Sequence, residues 1–128
     1  MARCTKITTT TGAVTAALLA GGSASIFYGV SAVSAEAASF YVKLYWEGTG
    51  TAQPGIGGVQ PATTVPVAAT SIPQLTFLVP TTGLVLTTSP VELNNGGRIW
   101  YWISATLADG TAQTALTTGG DLVTLIYD

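Results

Sequence analysis

The fold is decided by residues 96–106, which read Gly96-Gly97-Arg98-Ile99-Trp100-Tyr101-Trp102-Ile103-Ser104-Ala105-Thr106. Two glycines precede a nearly unbroken run of β-branched and aromatic residues, which favour the extended backbone because their bulk packs well on a pleated surface. In a strand, one face carries Ile99, Tyr101, Ile103 and Ala105 and the other carries Trp100, Trp102 and Ser104. Both faces are largely apolar, whereas a surface strand alternates apolar with polar residues. The sequence therefore predicts a strand that needs cover on both faces.

The composition indicates one domain with a sparsely charged surface. The chain has 128 residues, of which 48% are hydrophobic and only 8% are charged. Such a chain can bury roughly two thirds of its unfolded surface, and its low charge suggests that neighbouring molecules cover part of what remains. The four basic residues are scattered, so nothing favours a nucleic-acid partner.

The first residues are predicted to form a separate N-terminal arm, residues 1–22, ahead of a sandwich domain at 23–128. Ala13 to Ala20 reads either as a short helix or as an extended strap, and with so little charge it folds only against its own domain or a neighbouring subunit. Val33-Ser34-Ala35 resembles the cleavage site of a secretory signal. We expect no cleavage there, because glycines interrupt the apolar run before it. A membrane-spanning helix is not expected either, because it would need about 18 consecutive apolar residues and the sequence has no such run.

Strand patterns recur along the rest of the chain. They occupy residues 25–33, 39–46, 73–80, 84–88, 96–106 and 121–127, with turn residues between them. Gly29 suggests a bulge or a close backbone approach, and Gly83 suggests a turn with positive φ. The last strand is expected to pair with Ile99 to Ala105. The Gly/Pro-rich region 47–70, with short edge pairing near Thr63 to Val67, is predicted to be functional or held by a partner. The predicted fold is all-β: an antiparallel β-sandwich, jelly-roll-like, of about seven strands with an extended N-terminal arm.

The sequence offers little for catalysis. It has no histidine to activate a serine or threonine, and its one cysteine is Cys4. The six carboxylates fall mostly at predicted turns and strand ends, where a solvated or turn-stabilising role is expected. We expect no enzyme, no cofactor and no metal, although a calcium site from Asp109 and Asp121 is the one metal alternative. Lys43 is expected at the wet edge of an aromatic face.

Aromatic and aliphatic residues are the candidates for a contact surface. The interface is predicted to use Trp46, Trp100, Trp102 and Tyr45 from the body, with Ile7, Leu18 and Leu19 from the arm. Aromatic residues dominate buried contacts in cores and in interfaces alike. The alternative is a carbohydrate platform built from the same rings.

A resemblance to a known family supports the interface interpretation. Tyr41-Val42-Lys43-Leu44-Tyr45, the Gly/Pro-rich loop, and Pro73-Gln74-Leu75-Thr76-Phe77-Leu78-Val79-Pro80 follow one another. A glycine-led strand, a loop of small residues, and a last strand ending near Tyr127 complete the order. Over residues 25–128 this resembles small virion structural proteins of tailed bacteriophages, of the head decoration or cement type.

The resemblance implies a structural protein on the phage head surface. Its expected partners are the major capsid protein, across whose subunit junctions it would bind, and itself, as a homotrimer; neither nucleic acid nor membrane is expected. One alternative is a head or tail fibre module that binds a host receptor or glycan through an exposed aromatic patch. Another is a secreted pilus or surface-layer subunit, which requires a cleaved signal.

Overall fold

The chain folds into strands alone across the part that the computed structural model describes, residues 3–21, 26–47, 66–92 and 98–128. Eight strands are present there, and no helix. They are β1 (Arg3–Thr8), β2 (Ala17–Gly21), β3 (Ile26–Val33), β4 (Phe40–Glu47), β5 (Leu75–Val79), β6 (Leu84–Glu92), β7 (Arg98–Ser104) and β8 (Leu122–Tyr127). The all-β prediction is confirmed, with eight strands in place of about seven.

The strands form two four-stranded antiparallel sheets. The first sheet has the order β1-β8-β3-β6 and the second β2-β7-β4-β5. The chain pairs as one long hairpin wound around a sandwich, with the strand pairs β1–β8, β2–β7, β3–β6 and β4–β5. This strand order is that of an eight-stranded jelly roll. The expected pairing of the last strand with Ile99 to Ala105 is wrong, because β8 lies between β1 and β3 in the other sheet.

The first residues belong to the sandwich. β1 pairs with β8, with Ile7 opposite Val123, and β2 pairs with β7, with Ala17 opposite Tyr101. These strands form one edge of each sheet. Within the described part, β1 and β2 are therefore strands of the sandwich. Of the alternatives that the sequence leaves open for the N-terminal residues, an extended segment packed against its own domain is the one observed. Edge strands are less buried than central ones, so their apolar alternation is weak and the sequence does not distinguish them from an arm.

The core lies between the sheets and is built by alternation along the strands. Phe40, Val42 and Leu44 of β4 are completely buried, as are Val123 and Leu125 of β8. Aromatic rings fill the same layer, with the centroids of Phe27 and Phe77 5.4 Å apart. Because the apolar residues of each strand point into this core, the residues between them point outward. These outward residues carry the candidate site.

Two glycines occupy the positions that the sequence predicts for them. The register of β3 shifts between Phe27 and Gly29 against both neighbouring strands, which confirms the bulge. Gly83 has φ +84°, and its N–H donates to the carbonyl of Pro80 at 2.9 Å, which confirms the turn. An added Cβ at Gly83 would lie 2.7 Å from the carbonyl oxygen of Ala32, so the turn packs tightly against β3.

Some predictions fall outside the described residues. These are the larger part of the Gly/Pro-rich region, residues 48–65, and the turn at 93–97. Among the residues that are described, none forms a helix of the length and apolarity needed to cross a membrane.

Candidate functional site

The outer face of the second sheet carries the aromatic residues that the sequence singles out. In the register of β4 with β7, Lys43 lies opposite Trp102, with Tyr41 opposite Ser104 on one side and Tyr45 opposite Trp100 on the other. The inward neighbours of these residues are core residues, so this second set points away from the core. We call it the aromatic face.

The connection between β7 and β8, residues 105–121, covers the middle of the aromatic face, and we call it the cap. Its two sides are joined where the Ala105 N–H donates to the carbonyl of Thr114 at 2.9 Å. Its tip is joined where the Gln113 amide donates to the carbonyls of Ala108 and Thr111, each at 2.9 Å. With the cap in place, Trp102 is only 1% exposed. The strand does have cover on both faces, and the second cover comes from its own chain.

Lys43 holds the cap against the sheet. Its side chain is completely buried, and its ammonium group donates to the carbonyls of Leu107 and Ala108, both at 3.1 Å. It also contacts the Asp109 carboxylate at 2.7 Å and the amide oxygen of Gln113 at 3.1 Å. Four acceptors surround three N–H protons, which compensates the cost of burying the charge. The expectation that Lys43 lies at a wet edge is wrong.

Glu36 anchors the other end of the cap. Its carboxylate accepts hydrogen bonds from the N–H of Gly119 at 2.6 Å, from the N–H of Thr118 at 3.0 and 3.2 Å, and from the N–H and hydroxyl of Thr117 at 3.2 and 2.9 Å. Burial alone would raise its pKa, but the hydrogen bonds from Gly119, Thr117 and Thr118 together outweigh burial and lower the pKa below its ordinary value.

Asp121 ties the cap to two further connections. One carboxylate oxygen accepts from the Thr9 hydroxyl and the other from the Ala35 N–H, both at 2.6 Å. The Asp121 N–H in turn donates to the Thr9 hydroxyl at 2.9 Å. Asp121 is completely buried and Glu36 is 8% exposed. Of the two expected roles, solvated or turn-stabilising, neither carboxylate is solvated, and both stabilise the connections between strands through their bonded oxygens.

Three of the predicted interface residues are buried within the single chain. Trp102 is 1% exposed, and Trp100 and Leu19 are each 9% exposed. Leu19 belongs to the core. This burial corrects the picture of an uncovered second face, and it leaves Trp100 and Trp102 without the exposure that a carbohydrate platform requires.

The other predicted residues are more accessible. Leu18 is about half exposed and lies opposite Trp100, which in turn lies opposite Tyr45, so these three cross the sheet in one row. Tyr45 is half-buried, with its ring centroid 6.4 Å from that of Trp102. Ile7 is half-buried against the core, remote in the topology from this row. Trp46 lies opposite Ile99 in the register, and its side chain is outside the described part.

Several exposed apolar side chains were missed by sequence reasoning. Besides Leu18, they are Val33, Val67, Ile72, Leu78, Leu107 and Leu122. The signal was present on the strands, where an apolar residue occupies an outward position between two inward ones, as Leu78 does between Phe77 and Val79. Loop residues such as Ile72 and Leu107 carry no such periodicity.

Nothing in the comparisons with known proteins assigns a function. The chain matches no family model, and no curated protein or solved structure is significantly similar to it. Within the described ranges, no three His, Cys, Asp or Glu side chains come together as a metal site would require. The function must be argued from the surface that the fold leaves exposed.

Proposed function

We propose that this chain is a decoration, or cement, protein of a tailed-phage head. It binds across junctions between major capsid protein subunits on the outer surface of the head and stabilises the shell. The observation that carries the proposal is the presence of exposed apolar side chains on both outer faces of a sandwich that has few charged residues and buries three of the ten.

The charge distribution favours a surface that is covered in use. Three of the ten charged residues, Glu36, Lys43 and Asp121, are buried, so seven at most keep the surface hydrated. Soluble domains of this size usually carry many more surface charges of both signs. A sparsely charged exterior is typical of a protein whose surface is covered by other subunits in an assembly.

The first sheet exposes one apolar patch. Val33 of β3 and Leu122 of β8 are cross-strand partners and are 67% and 40% exposed. Their inward neighbours, Ala32 and Val123, lie in the core, so the pair points outward from the sandwich. We call this pair the first patch.

The second sheet exposes another patch on the opposite side. Leu78 of β5 is 51% exposed and lies opposite Tyr41 on the aromatic face. Ile72 and Leu107 are also exposed, and Ile72 reaches the cap, with its Cδ1 2.9 Å from where a Cβ on Gly110 would stand. We call Leu78, Ile72 and Leu107 the second patch. Two patches on opposite sides allow one molecule to contact two neighbours, as a bridging protein must.

The mechanism that we propose is mechanical and involves no catalysis. Each apolar contact contributes about 25 cal/mol per Å² of buried apolar surface before the cost of association. A modest gain repeated over many symmetric copies strengthens a shell against the pressure of packed DNA. We also predict a homotrimer at local three-fold positions, because most oligomers of identical subunits close with point-group symmetry.

The proposal is tested by substituting each patch and measuring binding to isolated heads. We expect Val33→Thr with Leu122→Ser, and separately Leu78→Ser, to weaken co-sedimentation with heads by about tenfold, because each removes apolar area worth about 1.4 kcal/mol. Thr76→Ser, an outward and exposed position on β5, is the matched control and should bind as the unaltered protein does. Unaltered binding by both patch variants would contradict the proposal.

A further inference from the structure

Each of the two sheets ends in two edge strands, which have a neighbouring strand on one side only. The edges are β1 and β6 in the first sheet and β2 and β5 in the second. The unpaired N–H and C=O groups along an edge are a template for a further strand, so sheet proteins usually protect their edges with charges, proline or bulges. The four edges of this sandwich differ in how well they are protected.

Three of the four edges carry a protection of this kind. β1 presents the exposed, charged residues Arg3 and Lys6. The pairing of β2 with β7 shifts register between Leu18 and Ala20. β6 contains Pro90, which has no N–H to donate, and its pairing with β3 is also irregular. Each of these strands is therefore a poor template for a strand of another chain.

β5 has none of these protections. Its residues, Leu75–Val79, include no charge, no proline and no glycine, and they pair with β4 in unbroken register. On the other side of β5, no main-chain hydrogen bond joins these residues to any part of the chain that the structure describes. Thr76 and Leu78 alternate with buried residues and are exposed, Leu78 by 51%. The edge of β5 is therefore uncharged, regular and accessible over the length of an ordinary strand.

We propose that β5 pairs with β5 of a second copy of this chain, antiparallel and across a two-fold axis. The second sheets of the two copies then form one continuous sheet. With the axis at Phe77, every residue of β5 has a partner: Leu75 lies opposite Val79 of the other copy, and Thr76 lies opposite Leu78 of the other copy. Strand addition of this kind is held together mainly by main-chain hydrogen bonds.

The side chains of β5 favour a second copy over a strand of different chemistry. The strand carries no charge, so two copies meet without repulsion, whereas a charged strand would place its charges beside Leu78 without a partner. On the outer face, the half-exposed Leu78 lies beside Thr76 of the other copy and within diagonal reach of its Leu78. On the inner face, the half-buried Leu75 lies against Val79 and extends the core. Each copy therefore supplies the surface that the other lacks, as a two-fold contact requires.

This contact goes beyond the head binding proposed above and does not depend on it. One pair of short strands buries much less than the roughly 1,200–2,000 Å² of a stable interface, so the contact is weak in dilute solution. We expect a Kd of roughly 0.1–1 mM for the isolated protein. Copies that are held close together on a surface would pair more completely, and a two-fold contact can link one trimer to the next.

Exchange of charges on the outer face of β5 tests both the pairing and its register. Thr76→Lys with Leu78→Lys places like charges opposite each other when two such copies pair, and Thr76→Glu with Leu78→Glu does the same. An equal mixture of the two double variants places lysine opposite glutamate at both positions. In sedimentation equilibrium, we expect the mixture to associate at least about fivefold more tightly than either double variant alone.

The matched control places the same charges on β1, the protected edge of the first sheet. There Thr8→Lys adds a second lysine two residues from Lys6, and Lys6→Glu with Thr8→Glu places two acids at the same exposed positions. Mixing these two variants should strengthen association less than about twofold, because salt screens the long-range attraction between oppositely charged molecules. Equal gains from mixing on β5 and on β1, or no gain on β5, would overturn the proposal.

Hydrogen exchange of the unaltered protein shows what covers the edge. The amide protons of β5 that face away from β4 should exchange quickly in dilute solution and become protected at about 1 mM, where at least half of the molecules are paired. Protection that is already complete in dilute solution would show that the chain covers this edge itself. Fast exchange at every concentration would show that a second copy does not bind there and would leave the edge to a strand of another protein. Either result would overturn the proposal.

Discussion

The ammonium group of Lys43 lies 2.7 Å from the carboxylate of Asp109, beneath a connection that crosses the outer face of its own sheet. Lys43 is completely buried, whereas the side chain of Asp109 is one-third exposed. A charge on the outer face of a strand usually lies in water, and here the chain folds back to surround it. That contact holds the cap against the aromatic face, whose middle, Lys43 and Trp102, is buried while Tyr41 and Tyr45 on either side are half-buried.

Removing the Lys43 charge should loosen the cap. In Lys43→Met the two carbonyls of the cap and the Asp109 carboxylate lose their donor, and we expect the free energy of unfolding to fall by about 2–3 kcal/mol. The loss should be smaller than for a fully buried pair, because Asp109 can turn to water. Urea unfolding measures it. Lys6→Met, at an exposed position of β1, is the control and should change stability by less than about 0.5 kcal/mol; equal effects of the two variants would exclude an anchoring role for Lys43.

Stability should depend on pH through Glu36. Because its pKa is lowered in the folded state, the unfolded chain binds more protons once the pH falls below the ordinary value of 4.5. The stabilisation is therefore present above that pH and is lost as the pH falls through the folded-state pKa. We expect Glu36→Gln to destabilise the protein by about 2–3 kcal/mol at neutral pH, since an amide meets several backbone N–H groups with only one oxygen.

Unfolding curves at several pH values, from about 7 down to about 3, test the role of Glu36. Glu36→Gln should flatten the acid dependence. Thr117→Val, which removes one hydroxyl donor to the carboxylate, should reduce it partly, and Thr118→Ala, which keeps the donating N–H, should leave it intact. An acid dependence of Glu36→Gln equal to that of the unaltered protein would show that other groups are responsible.

Gly83 and Gly120 separate backbone strain from steric clash. Both have positive φ, +84° and +77°, but an added Cβ would meet the Ala32 carbonyl at Gly83 and nothing within 4 Å at Gly120. We expect Gly120→Ala to cost about 1 kcal/mol, from backbone conformation alone, and Gly83→Ala to cost at least 1 kcal/mol more. Thermal unfolding of the two variants measures the difference. If Gly120→Ala were the more damaging change, the described packing of the turn against β3 would be wrong.

The strands that pass through the core could be predicted from the sequence because their periodicity is local. Phe40, Val42 and Leu44 alternate with outward residues, and the bulge and the turn were marked by Gly29 and Gly83. Pairing is set by contacts between distant parts of the chain, so the position of β8 between β1 and β3 was missed. The choice between a helix and an extended strap for Ala13 to Ala20 stayed open for the same reason, because β2 pairs with a strand that is distant in the chain.

The buried charges show more clearly where sequence reasoning ends. Glu36 meets backbone N–H groups about eighty residues further along the chain, and Lys43 meets the cap more than sixty residues away. No local pattern distinguishes these residues from solvated ones. The need for cover over Trp102 was predicted, but the source of that cover, the chain's own cap, depends on the folded arrangement.

If the chain is a decoration protein as we propose, electron cryomicroscopy of the phage particles that carry it tests the central claim most directly. The account predicts density for many copies of an eight-stranded jelly roll on the outer surface of the head, each bridging neighbouring capsid subunits. Val33 and Leu122 should be buried against one subunit and Leu78 against another. Absence of the chain from the head, or its presence only on tail fibres, would contradict the account.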